Sequence, residues 1–172
     1  MTLLRLLTRG MVAGAVAMTA MDALWYKRYR DGGGRDDFIT WEFSSPATEF
    51  GDDAPAPARV GKFAADAIGI DLADSAVGMT NNVVHWATGV GWGKAATVAN
   101  AVLPLSPLTV GIGTGVAAWG TSYAVLGQLG IYEPITAYDT DTLWNDLSPH
   151  LVFGTTLGLA MALTRGVRSL GR

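Results

Sequence analysis

Four long apolar segments, separated by polar and proline-containing stretches, dominate the pattern of the chain. Charged residues lie mainly between these segments and at their ends, so each keeps the length of about 20 residues that suits the hydrocarbon core of a bilayer. The segments lie at about residues 6–26, 83–103, 108–132 and 149–164. The pattern predicts an all-α membrane protein with four transmembrane helices in a single domain, residues 1–172.

The loop between the first two segments, at about residues 27–80, is rich in proline, acidic and small residues and is typical of an exposed linker. Within it Val60, Phe63, Ala64 and Ile68 recur at helical spacing. This periodicity predicts a short amphipathic helix that either lies on the membrane or packs on its own domain. We expect the packed arrangement.

Two copies of one histidine–glycine pattern indicate an internal duplication. NNVVHWATGVGWG begins the pattern at His85, and SPHLVFGTTLG begins it again at His150. The first and third segments each carry a GxxxG pair. Each half is therefore predicted to be a hairpin of two helices, with GxxxG on the first and HxxxGxxxG on the second. Because each half crosses the membrane twice, the two copies have the same orientation, and their symmetry axis follows the membrane normal.

Glycines four residues apart lie on one face of a helix and let a neighbouring backbone approach closely. We expect the glycines of these patterns to face the protein interior and to pack the helices, with room for a flat ligand as the alternative. They are Gly10, Gly14, Gly89, Gly93, Gly111, Gly115, Gly154 and Gly158.

The composition agrees with a membrane location and narrows the chemistry. Hydrophobic residues make up 49% of the chain and charged residues 16%, a balance too apolar for an ordinary soluble domain. The chain has no cysteine, which excludes disulfides, thiolate metal sites and cysteine nucleophiles. A net charge of −3 without a basic stripe indicates that nucleic acid is not a partner.

The basic residues predict that both termini lie in the cytoplasm. Four crossings put the termini on one side, and that side carries Arg5, Arg9, Arg165, Arg168 and Arg172. The loop after the third segment has four acidic residues and no lysine or arginine. A second basic cluster favours the opposite orientation: Lys27, Arg28, Arg30 and Arg35.

Polar side chains inside apolar segments are costly and are therefore candidates for a functional site. Asp22 and His85 are predicted to lie at similar depth, where a carboxylate and an imidazole form a proton-accepting pair. The alternative is local hydrogen bonding at the membrane interface. Lys94 stands about 14 Å of helix before the end of its segment and is expected to face the interior. There it would meet Asp22, a backbone carbonyl or a bound anion, in a structural or a transport role.

His85 and His150 are the only histidines, and one hypothesis for them is axial ligation of a haem between the second and fourth helices. The chain contains no HExxH, GxSxG, Walker or dinucleotide-binding motif. The sequence therefore predicts a protein that is not an enzyme and has no metal site, and it leaves the cofactor unknown.

Three stretches, GMVAGAVAMTAMD, NNVVHWATGVGWG and HLVFGTTLGLA, resemble the YagU-like small bacterial inner-membrane proteins of unknown function, particularly their actinobacterial members. The resemblance covers nearly all of the membrane portion and implies a multi-pass protein of the bacterial inner membrane. It implies no reaction and no catalytic residue.

Three functions are compatible with these features. We expect first a structural or accessory component of a larger membrane assembly, in contact with lipid and with a protein partner or a second copy. The alternative is a small channel or transporter for protons, ions or small solutes that uses Asp22, His85 and Lys94. The third is a haem-binding electron-transfer protein.

Overall fold

The computed structural model describes residues 2–45 and 47–166, and the regular structure of these residues is entirely helical, as predicted. The helices are α1, Leu3–Asp31; α2, Phe38–Phe43; α3, Ala56–Ala67; α4, Val77–Val102; α5, Pro107–Gln128; and α6, Thr140–Gly166. Short 3-10 turns precede α4 and α6. The side chains of Arg165, Arg168 and Arg172, which enter the prediction of orientation, lie outside the described part of the chain.

Two of the described helices are both long and apolar enough to cross a membrane. They are α1, and α6 as far as Thr164, and an 18-residue stretch of each has a mean hydropathy of 1.3. The helices α4 and α5 span 26 and 22 residues, but polar residues such as Asn82 and Lys94 in α4, and the glycines of α5, lower their hydropathy. The predicted membrane location thus has two candidate spans in the structure.

The long helices pack side by side in alternating directions. The helix α1 lies against α4 and α6, and α6 also lies against α5, whereas α4 and α5 touch each other only sparsely. Gly10 of α1 lies beside Lys94 of α4, and Asp22, further along α1, lies beside His85 of α4, so the two helices are antiparallel. The buried apolar core between these helices includes Met18, Met21, Ala96, Phe153, Leu157 and Met161.

Glycines make the closest contacts between helices. A methyl group on Gly93 would lie 2.3 Å from the carbonyl oxygen of Gly10, and one on Gly111 would lie 2.4 Å from the carbonyl oxygen of Gly154. All eight glycines that the sequence assigns to packing are buried. Because the backbones themselves touch, α1 meets α4, and α5 meets α6, at distances that only glycine permits.

Pro149 is buried inside α6 rather than at the start of a helix. The helix begins earlier because the carboxylate of Asp139 accepts a hydrogen bond from the backbone N–H of Thr142 at 2.7 Å. Proline has no N–H, so the carbonyl of Asn145 loses its helical donor. Arg28 of α1 donates to that carbonyl at 2.8 Å. The helix therefore continues through the proline at which the sequence analysis places the start of the last span.

The helix α5 ends before residue 132, where the sequence analysis ends the third segment. Gly130 has a φ of 67°, in the left-handed region that favours glycine. The backbone N–H of Ile131 bonds to the carbonyl of Leu126 at 2.9 Å, which completes a Schellman motif. This turn stops α5 at Gln128.

The helix α3 corresponds to the short helix predicted in the long loop. It packs on α4, where a methyl group on Gly61 would meet Thr80 and Val84. Phe63 is 55% exposed, and Ile68 caps the C-terminus of the helix. The apolar pattern of the chain does not predict α2, which also contacts both α1 and α4. The loop is therefore more structured than an exposed linker.

Candidate functional site

A cavity of about 380 Å³ lies among α1, α4, α5 and α6, at the end of these helices that carries the long loop. Residues of α3 and Tyr132 also line it. A volume of this size suits a small organic molecule. Its walls combine apolar and aromatic side chains, such as Met18, Met21, Trp25, Trp92 and Phe153, with polar ones, namely His85, Thr88, Thr121, Ser122, Asp146 and His150.

Asp22 and His85 form a hydrogen-bonded pair in which His85 lines this cavity and Asp22 lies behind it. Nε2 of His85 lies 2.9 Å from Oδ1 of Asp22, and the Asp22 side chain is only 4% exposed. The second carboxylate oxygen, Oδ2, is buried and has no hydrogen-bond partner among the described residues. Since buried polar atoms are normally paired, this oxygen is an acceptor still open to a further hydrogen-bond donor.

A second acidic group, Glu42 of α2, lies close to this pair. Its carboxylate accepts a hydrogen bond from Nε1 of Trp86 at 2.8 Å, and its backbone carbonyl accepts one from Asn82 at 2.7 Å. Burial raises the pKa of Glu42; the bond from Trp86 opposes this, while the charge of Asp22 adds to it and that of His85 opposes it. The pKa of Glu42, which lies on the loop side, therefore depends on the charges of Asp22 and His85.

His150 lines the same cavity from α6. Its Nδ1 lies 2.8 Å from the carbonyl oxygen of Asp146, and because that oxygen only accepts, Nδ1 carries the proton. Nε2 is then the acceptor of the neutral ring. His85 uses its own Nε2 on Asp22, so each ring keeps one nitrogen for another partner. Haem ligation by the two histidines stays a prediction, which the visible spectrum of the purified protein tests.

Lys94 lies far from the Asp22–His85 pair. Its Cα is beside Gly10, and Gly10 precedes Asp22 on α1 by about 18 Å of helix. The side chain is half-buried, and within the described residues its ammonium has no hydrogen bond or ion pair. The structure thus brings Asp22 to His85 and does not bring it to Lys94.

A second pocket, of about 330 Å³, adjoins the first and was not predicted from the sequence. Tyr123, Tyr132, Tyr138 and Asp146 line it together with Trp25. One sequence signal points to it, because Tyr123 follows Asp22 by the same 101 residues that separate Gly10 from Gly111. The predicted duplication would therefore place Tyr123 beside His150, as Asp22 is placed beside His85.

The described residues contain no group of three or more histidine, cysteine or acidic side chains that could hold a metal ion. No protein-family model matches the chain, and no curated protein and no solved structure matches it either. The resemblance to the YagU-like proteins stays a prediction.

Proposed function

We propose that the chain is a four-helix membrane protein that takes an ion or small solute into the cavity and moves it with protonation of the Asp22–His85 pair. In this proposal α1, α4, α5 and α6 all cross the bacterial inner membrane, as two hairpins with both termini in the cytoplasm. The cavity then opens toward the outer face, where the long loop lies.

The lengths and packing of α4 and α5 support four crossings. At 1.5 Å per residue their 26 and 22 residues measure about 39 and 33 Å, enough for a hydrocarbon core of about 30 Å. Lys94 is the only charged residue in α4, and α5 has none. Glycine faces hold them against α1 and α6, which is how helices associate in a bilayer.

One observation favours transport over a purely structural role: a buried carboxylate, Asp22, is hydrogen-bonded to a histidine that lines a cavity. An ionisable pair inside a membrane protein is costly, and packing alone gives no reason to keep it. A pair that gains and loses a proton gives such a reason, because the charge of the cavity wall changes with each protonation.

Proton flux into liposomes that contain the purified protein and a trapped pH indicator tests the proposal. Asp22→Asn and His85→Gln remove the two members of the pair. Asp31→Asn is the matched control, since Asp31 is on the same helix but 61% exposed in an ion pair with Lys27. We expect flux in the wild type and the control and its loss in both variants. A folded wild-type protein that moves neither protons nor solutes would remove the proposal.

A second candidate is the accessory component of a larger membrane assembly. Apolar side chains exposed on the long loop favour it: Phe63 is 55% exposed, Ile68 74% and Ile70 51%. Such side chains outside the membrane suit contact with a protein partner or with a second copy. Mass spectrometry of the protein purified in mild detergent measures how many copies and which partners it binds. A monomer without a partner would count against this candidate.

A further inference from the structure

The pocket beside Asp146 has aromatic walls. Tyr123, Tyr132 and Tyr138 lie with their ring centroids 5.2 to 6.4 Å apart, and their planes are inclined to one another by 51° to 78°. Trp25 of α1 also lines this pocket. Rings inclined at these angles do not stack face to face, so the wall of the pocket is made of both ring edges and ring faces.

Asp146 is the charged residue of this wall. Its carboxylate lies against Tyr123 and has no ion-pair partner among the described residues. The guanidinium of Arg28 is 5.1 Å from the centre of the Trp25 ring, but its nitrogens donate to Asn145 and Ser148. Trp25 therefore already contacts one cation, whereas Asp146 has none within ion-pair distance among the described residues.

We propose that this pocket binds a small organic cation, an ammonium whose methyl groups lie against the tyrosine rings and whose charge faces Asp146. The inference rests on the proposed function and names the class of its solute. Cations are attracted to the electron-rich faces of aromatic rings, and cages of such rings recognise methylated ammonium groups. Trp25, Tyr132 and Asp146 also line the larger cavity, which would receive the apolar part of the ligand.

A metal cation fits the pocket less well. Alkali and alkaline-earth ions need several oxygen ligands, and Ca²⁺ takes six to eight. The lining offers one carboxylate, the amide of Asn145 and hydroxyl groups of tyrosine and threonine on a largely aromatic surface. An ammonium with methyl groups sheds its water at a lower cost and gains contact with each ring.

Titration calorimetry on the full chain in detergent tests the proposal with two probes of nearly the same shape. Choline carries a quaternary ammonium, and 3,3-dimethylbutan-1-ol replaces the charged nitrogen with carbon. We expect choline to bind at least about tenfold more tightly than the neutral alcohol. Equal binding of the two probes, or no binding of choline by the folded wild type, would overturn the proposal.

Variants assign the binding to this pocket. Asp146→Asn removes the charge, and Tyr138→Leu removes a ring at the loop side, where unfolding is less of a risk. We expect each to weaken choline binding at least about tenfold, whereas Tyr138→Phe keeps the ring and most of the affinity. Asp141→Asn, an exposed position in the first turn of α6, is the matched control. Unchanged affinity in both Asp146→Asn and Tyr138→Leu would refute the assignment.

The two proposals fail in different experiments. Binding of choline without flux in liposomes would remove the transport function and keep the cation site. Proton flux without selective binding of choline would keep the transport function and remove organic cations as its solute.

Discussion

The guanidinium of Arg28 donates to the carbonyl oxygen of Asn145 at 2.8 Å, the acceptor that Pro149 leaves without its helical donor. A second nitrogen of Arg28 donates to Oγ of Ser148 at 2.7 Å, and that hydroxyl donates to the carbonyl of Trp144 at 2.7 Å. The helix α1 thus completes the hydrogen bonding of α6 at its proline, close to the proposed cation pocket.

Replacing Arg28 with methionine should lower the free energy of unfolding by about 1–2 kcal/mol, because the carbonyl of Asn145 loses its donor. Alanine in place of Pro149 restores a backbone N–H to that carbonyl. We therefore expect Arg28→Met to lower the free energy of unfolding by less in a Pro149→Ala background than in the wild type. Denaturant unfolding of the four proteins in detergent measures this difference as a double-mutant cycle. Equal losses of unfolding free energy in both backgrounds would show that the hydrogen bond from Arg28 does not replace the missing donor of this carbonyl.

Alanine at the glycine contacts should separate the helices. Gly93→Ala and Gly111→Ala place a methyl group within 2.4 Å of a carbonyl oxygen, so we expect losses of roughly 1–3 kcal/mol. Gly91 and Gly113, on the same two helices, have nothing within 4 Å of an added methyl group. Alanine there should be neutral or stabilising by up to about 1 kcal/mol, since it favours helix. Thermal unfolding compares the pairs, and similar losses at all four positions would contradict the packing.

Glu42 should make the protein more stable as the pH falls through its titration range. Burial raises its pKa in the folded state above the ordinary value of 4.5. At pH values between the ordinary pKa and the folded pKa, the folded state is therefore protonated more often than the unfolded state. Stability from this group is therefore present below pH 4.5 and is lost as the pH rises through the folded pKa. Glu42→Gln should flatten this part of the pH profile of unfolding, and an unaltered profile would contradict the assignment.

Asp37 provides a control of opposite sign. Hydrogen bonds from the backbone and side chain of Thr40 lower its pKa below 3.8 in the folded state. Its contribution is therefore present above pH 3.8 and is lost as the pH falls through the folded pKa. The free energy of unfolding should therefore fall less at acid pH in Asp37→Asn than in the wild type. The pH dependence that this variant removes is opposite in sign to the one that Glu42→Gln removes.

Single cysteines can decide how many helices cross the membrane, because the chain has none of its own. We expect Glu49→Cys and Thr136→Cys to react with an impermeant maleimide in intact cells, and Thr2→Cys and Leu105→Cys to react only after lysis. If only α1 and α6 cross, Leu105→Cys reacts together with Glu49→Cys. Labelling of Thr2→Cys in intact cells would reverse the proposed orientation.

Local patterns were enough to predict the four long helices, the short helix α3 and the glycine packing faces. Apolar runs of membrane length predict long helices wherever polar groups do not interrupt them, and glycines at four-residue spacing share one helix face whatever the neighbour is. The helix α2 and the start of α6 also have local signals, since Asp37 and Asp139 each cap the backbone three residues on. The boundary at Pro149 could not be derived locally, because its outcome depends on Arg28.

By itself the sequence determined that the chain is helical and apolar and that two histidines lie on glycine-rich faces, because these properties depend on neighbours within a few residues. Only the tertiary structure decided that Asp22 pairs with His85 and not with Lys94. It also decided that α6 continues through Pro149, and that three tyrosines line one pocket together with Asp146. These contacts join residues up to 117 positions apart, and their geometry is set by the way the helices pack.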